Sequence, residues 1–223
     1  MRQRRTRTAL PGGTVNHGGR MNRLQRGKQI ATIRKRHITS AAYDVIAEKG
    51  YYNFTMMDIA KRAGVSSGLI HHYFRDKENM LVTLLREMQQ NIRSSLEKAI
   101  APVDDPHKKL EIFMDQAFDL TIKEREYVYI IFDFMTQIKF NERMQRILTK
   151  LYHSYRETFA EIIREGKAKG VFKQVDEQYM ATVFIAILLG VEQQYLTDNT
   201  SFVYRDYTGK IKKQIFDLVL AGR

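Results

Sequence analysis

The chain has 223 residues, no cysteine and no tryptophan, and 37 Lys plus Arg against 25 Asp plus Glu, a formal net charge of +12. Lack of cysteine excludes disulfides and thiolate metal sites; the longest apolar run, Met180 to Val191, is too short for a bilayer. A cytoplasmic protein without a membrane partner is expected, large enough for one small domain and a second, larger one with its own core.

Residues 1 to 36 contain eleven basic residues and no acidic one, and so account for eleven of the twelve net charges. Such an arm adds sequence-independent affinity for a nucleic-acid duplex by releasing counterions. Residues 1 to 20, poor in apolar side chains and interrupted by Pro11 and four glycines, equally describe a solvated tail without a specific role. Residues 1–28 are accordingly read as a basic, disordered tail. No apolar segment follows the basic stretch, so it is not a secretory signal. Gly18-Gly19-Arg20-Met21 is what a purine-rich ribosome-binding site would encode if read in frame, and translation is expected to start at Met21 rather than Met1.

A helix-turn-helix domain is expected over 29–76. Its first helix spans Gln29 to Glu48, closed by Gly50, with Ile38, Ala41, Ala42, Val45 and Ile46 inside. Thr55 and Asp58 have the spacing of an acidic capping box, so a second helix opens near Met56. Ile59 faces inward, Ala60 permits close approach, and Gly64 supplies the positive φ of a tight turn. Ser66 is the next N-cap; Ile70 and Phe74 continue the buried side and leave Ser67, Gly68, His71, His72 and Tyr73 exposed. Asp76 caps a fourth helix that begins at Lys77, where an amide and an ammonium together can hold a phosphate. An ordinary helical hairpin with polar loops has the same spacing.

The run DIAKRAGVSSGLIHHYFRDKENML closely resembles the N-terminal domain of TetR-family transcriptional regulators, and the likeness extends from Ile30 to about Leu85. Its SGLIHHYF segment is similar to the recognition helix of the choline-responsive betaine-synthesis repressors within that family. The resemblance implies an outward recognition helix that reads a double-stranded DNA operator. It implies phosphate contacts for Thr55 and Lys77, a backbone contact for Tyr73, and groove-facing places for Ser67, Gly68, His71 and His72. Leu69 adds an apolar contact to a thymine methyl, Ser66 caps the reading helix, and Arg34 belongs to the basic start of the first helix that touches phosphates. His71 stands where the family usually has tyrosine, and Ser67 where it often has lysine, glutamine or threonine, which bears on base specificity rather than on DNA binding.

Beyond this domain every segment has helical periodicity, so the fold class is all α: an N-terminal three-helix reading domain and a C-terminal helical domain, 77–223, for effector binding and dimerisation. Helices are predicted over Lys77–Ile100, Pro106–Lys123, Glu126–Ile138, Asn141–Lys169, Asp176–Leu196 and Tyr207–Leu220. The stripes Val183, Phe184, Ile187, Leu188, Val191 and Ile211, Ile215, Leu218, Val219 predict either a homodimer through the last two helices or the completion of a monomer core. Aromatic residues concentrate in the same domain. Phe113, Tyr127, Phe132, Phe134, Tyr152, Tyr155, Phe159 and Phe184, with Glu192, are the expected lining of a small-molecule effector pocket, although residue type alone fits core packing equally.

The function so indicated is a sequence-specific repressor, released from a palindromic operator by a small molecule and located at the bacterial nucleoid. The alternative is a nonspecific nucleic-acid-coating protein driven by the basic arm. No catalytic residue, cofactor or metal is expected: His71 and His72 are adjacent and point to different sides of a helix, and no phosphate loop or nucleophile elbow occurs.

Overall fold

The computed structural model describes residues 23–221. Most of the expected basic tail, and with it the Met21 start, lies outside the described residues. The chain divides between Arg36 and His37 into two compact units. Helix α1 (Arg23–Asn53) runs through that boundary and begins earlier than the expected Gln29. Residues 23 to 28 are good helix formers apart from Gly27, and one glycine does not stop a helix. In the first unit Arg34 is exposed. The expected stop at Gly50 is present as a break, φ 75° and ψ 167°, a conformation that favours glycine.

The second unit continues with α2 (Met56–Arg62), α3 (Ser67–Tyr73), α4 (Lys77–Ile100), α5 (Pro106–Lys123), α6 (Arg125–Gln137), α7 (Glu142–Ala168), α8 (Glu177–Thr197) and α9 (Tyr204–Val219). Short polar residues set the starts. Asp105 precedes Pro106 at the head of α5, Asn141 accepts from the amides of Arg143 and Met144, and Asp176 accepts from those of Gln178 and Tyr179. Helix α9 opens at Tyr204 instead of Tyr207, which places Asp206 in its first turn, where a negative charge is favoured. Among the described residues there is no strand, only an isolated antiparallel bridge between Phe172 and Leu220.

Two apolar clusters fill the second unit. One joins α1 to α3, the first half of α4, α6 and the first half of α7, centred on Ile59, Ile70, Phe74, Leu81, Leu85 and Phe134. The other joins α5, the second half of α7, α8 and α9 around Phe113, Phe159, Phe184 and Ile215. Helix α4 contributes Met80 to Leu85 to the first and Leu96 to the second, while Tyr152 and Tyr155 on α7 pack against both. The expected division after residue 76 therefore falls inside a continuous core.

The two C-terminal stripes are split by the fold. Phe184, Leu188, Ile215 and Val219 are buried within the subunit, whereas Val183, Ile187, Val191 and Ile211 are half-buried and Leu218 and Ala186 exposed. Taken as a whole helix, α8 is long and apolar enough by length and composition to cross a membrane, contrary to the expectation from that run: its most apolar window has mean hydropathy 1.3, with 33% buried. Tyr, Thr and Gln dilute the run without making the helix polar. Its packing into the second cluster accounts for one side, and its other side is left uncovered in the single chain.

Candidate nucleic-acid interface and ligand cavity

Helix α2 is fixed at both ends. The Asp58 amide donates to Thr55 Oγ1 at 3.1 Å and the Thr55 amide donates to the Asp58 carboxylate at 2.9 Å, a complete capping box. Lys49 of α1 lies 2.6 Å from the same carboxylate. That ammonium, and then the Thr55 donors, hold the Asp58 carboxyl down at about 2. At the other end the Gly64 amide donates to the Lys61 carbonyl at 3.2 Å and the Val65 amide to the Ala60 carbonyl at 3.0 Å, with Gly64 at φ 63°. This is a Schellman closure and it turns the chain into α3. His37 Nε2 donates to the Ala63 carbonyl at 2.9 Å, which ties the corner to α1.

Helix α3 opens on Ser66, whose Oγ accepts from the Leu69 amide at 3.2 Å, and is pinned inward by the fully buried Ile70 and Phe74. With those two inside, Ser67, Gly68, His71 and His72 are exposed and Leu69 is half-buried. Tyr73 is less exposed than its neighbours: it packs on the core and meets the His72 ring edge-on, centroids 5.2 Å apart. It thereby limits where that imidazole can point. A Cβ at Gly68 would meet nothing nearer than Ser66 Oγ at 4.0 Å. The surrounding fold leaves room for a side chain there.

Lys77 departs from the expectation of an ammonium aimed at a phosphate. Its Nζ donates to the Tyr52 carbonyl at 3.2 Å and sits 4.0 Å over the Phe54 ring, and partial burial lowers its pKa. To reach a phosphate it must leave both. Two charged residues beside α3 are not among those the sequence put forward: Lys61 is exposed on α2 without an ion-pair partner among the described residues, and Arg75 is 92% exposed at its side chain; Met57, which the resemblance does not count as a base contact, is 59% exposed. The signal available was the helical register, which puts Met57 and Lys61 one turn apart on the side of α2 opposite Ile59.

The expected pocket residues do not form one lining. Phe113, Phe159 and Phe184 pack on one another in the second cluster, with centroids 5.3–5.8 Å apart, while Tyr127 and Phe134 are buried in the first and Phe132 packs at its edge. A cavity of about 570 Å³ lies between α4, α5 and α7, and of the expected residues only Phe113 and Tyr155 line it. Helical spacing shows that these aromatics are inward but not which of two interiors each one enters.

Behind Tyr155 is a buried polar cluster. Thr121 Oγ1 donates to Glu192 at 2.7 Å, and burial pushes the Glu192 carboxyl up to about 7. Burial and then the Glu192 charge also raise the phenols of Tyr152 and Tyr155, while Tyr127 keeps a buried hydroxyl without a hydrogen-bond partner. The sequence placed Glu192 correctly after an apolar run, but not its near-complete burial, which leaves its carboxyl close to half-ionised at neutral pH.

Residues 38–84 match the family described as bacterial regulatory proteins, tetR family, and residues 106–203 match the C-terminal domain of BetI-type transcriptional repressors. The HTH-type transcriptional regulator BetI of Escherichia coli is 35% identical over 94 residues, which are 41% of this chain and 48% of that protein; the chain spans about half the length of the curated relatives it matches first. A regulator from Saccharomonospora viridis, solved in complex with choline, superposes with TM-score 0.79 at 22% identity over 86% of this chain and 100% of that one. The regulator FadR of Bacillus subtilis, solved with stearoyl-CoA, gives 0.71 at 21% identity over 82% and 98%. At these identities the two structures speak for the fold alone.

Proposed function

This chain belongs to the TetR family of bacterial regulatory proteins, and from that premise we propose that it is a cytoplasmic, sequence-specific repressor released from a two-fold symmetric operator by a small-molecule effector. The observation that carries the reading is the face of α3: a row of small and imidazole side chains turned outward on a helix whose start, end and inner side are all fixed. A fixed helix with three outward polar side chains and a glycine between them suits major-groove readout. Residues 29–76 are the reading head and 77–223 the body. Ser67, Gly68, His71 and His72 meet base edges and Leu69 a thymine methyl. Arg34, Thr55, Ser66 and Tyr73 meet the backbone, and Lys77 joins them once it exchanges the Tyr52 carbonyl for a phosphate.

Two copies associate through the outer sides of α8 and α9, where Tyr179, Ala186, Tyr207 and Leu218 are exposed, and two-fold symmetry sets two reading helices about 34 Å apart, one turn of duplex. An effector in the cavity spreads α4 from α7 at the place where α4 passes from the head's cluster to the body's, and so changes that separation. BetI repressors are named for regulation, and the choline and stearoyl-CoA complexes show small molecules held by proteins of this fold. Coupling is reciprocal: operator weakens effector binding by the factor by which effector weakens operator binding.

The test deletes residues 1–20 and compares a selected operator with random duplex in a gel-shift assay. A repressor keeps its preference and loses affinity modestly. A coating protein loses nearly all binding to both, which would refute the reading.

A further inference from the structure

The cavity between α4, α5 and α7 is lopsided in its chemistry. Its apolar surface comes from Ile92 and Leu96 of α4, Phe113 of α5 and Leu151 of α7. Its charged residues are Arg86, Arg93 and Lys150 against one carboxylate, Glu97. Glu97 is already matched by Arg93 at 2.6 Å along the same helix. The charge left over is Arg86 and Lys150, which come from two different helices, are both exposed, and have no ion-pair partner among the described residues. A third group points the same way: Gln89, which also lines the cavity, has a buried side-chain amide nitrogen without an acceptor. Leaving a buried donor unpaired is costly, and a ligand oxygen removes that cost.

The remaining polar lining, Gln90, Ser94, Ser154, Tyr155 and Thr158, is neutral, so the unmatched charge of this cavity is wholly positive and the buried unpaired group beside it is a donor. A quaternary ammonium has no acceptor to offer and is repelled. The buried carboxylate Glu192 is not among the lining residues.

Within the effector-regulated reading above, on which this inference rests, we propose that the body takes a linear apolar molecule ending in an anionic oxygen group, a carboxylate or a phosphate ester. Its chain lies on Ile92, Leu96, Phe113 and Leu151, and its head sits between Arg86 and Lys150 and accepts from the Gln89 amide. Charge-assisted bonds from both cations supply most of the discrimination, and the volume suits a ligand of ordinary small-molecule size.

The experiment holds the chain length of the ligand constant and changes only the head. Dodecanoate, dodecyl phosphate, dodecanol and dodecyltrimethylammonium are titrated calorimetrically into the full chain, each below its micellar concentration. The same titrations are run on the double variant Arg86→Glu/Lys150→Glu and on the conservative variant Arg86→Lys/Lys150→Arg, with melting temperatures recorded for all. The two anions bind, the cation does not, and the charge reversal costs the anions about 100-fold while the conservative variant retains most of the affinity. Comparing dodecanoate with dodecyl phosphate identifies the preferred head. Equal or tighter binding of the cation, anion binding unchanged by the reversal, or no binding of any of the four overturns the proposal. Operator selection is run alongside on the same preparation. If it finds a two-fold site while the anions fail, the ligand class falls and the regulator stands; if the anions bind but no site is selected, the reverse holds.

Discussion

Helices α3 and α8 both turn toward solvent a face that their own subunit does not use, and the two faces differ in chemistry. On α3 the inner side is Ile70 and Phe74 and the outer side is Ser67, Gly68, His71 and His72. On α8 the inner side is Phe184 and Leu188, with the half-buried Ile187 packed against the same cluster, and the outer side includes Tyr179, Thr182 and Ala186. A short helix with an uncommitted polar row suits a charged, hydrated polymer; a long one whose exposed row is uncharged, with Tyr179 and Ala186 in it, suits a second protein surface. The difference also explains how each is held. Seven residues do not form a stable helix in water, so α3 depends on caps and on its frame, whereas α8 has enough buried area to hold itself.

The largest effect should come from spoiling the uncharged face of α8. Ala186 is exposed in the subunit, so Ala186→Asp leaves the fold intact, but at a two-fold contact it buries two unpaired carboxylates at a cost of about 3–5 kcal/mol each. Sedimentation is expected to find a monomer, with operator affinity lost in proportion; an unchanged dimer would place the interface elsewhere.

The buried carboxyl in the body gives the next effect. Glu192 titrates near 7 in the fold against an ordinary value of 4.5, so the protonated form is favoured by folding. Its contribution is complete below about 4.5 and is lost as pH rises through 7. Glu192→Gln keeps an acceptor for Thr121 and removes the charge. The variant is expected to be flat across that window in thermal melts and more stable than the parent at pH 8 by up to about 3 kcal/mol.

On the polar face, His71→Ala and His72→Ala are each expected to cost about 1–3 kcal/mol of operator affinity with melting temperature unchanged. A drop in stability of comparable size would mean that these rings serve packing, and α3 would lose its contrast with α8. The smallest effect belongs to the frame: Thr55→Ala opens the capping box and should lower stability by about 1 kcal/mol, seen as a small fall in the denaturation midpoint.

Local chemistry was legible in the sequence and non-local geometry was not. Thr55 with Asp58, Gly64, Ser66 and Asp76 all act where their spacing placed them, because caps and tight turns are decided within a few residues. What escaped is what depends on distant neighbours. Lys77 is the first residue of its helix as expected, yet its ammonium goes to Tyr52, which only the folded chain brings near. The apolar stripe of α8 was visible, but periodicity cannot tell which of its residues meet their own core. The aromatic residues were seen to be inward, but their division between two clusters follows from how α6 and α7 cross the molecule.

The proposed dimer presents α3 twice, to successive turns of one duplex. Selecting bound sites from random DNA with the purified chain, then measuring the mass of the complex on the enriched sequence, tests it most directly. The account predicts an inverted repeat with half-site centres about one helical turn apart, occupied by an even number of chains. Enrichment of a single unrepeated half-site bound by one chain, or no enrichment at all, would contradict it.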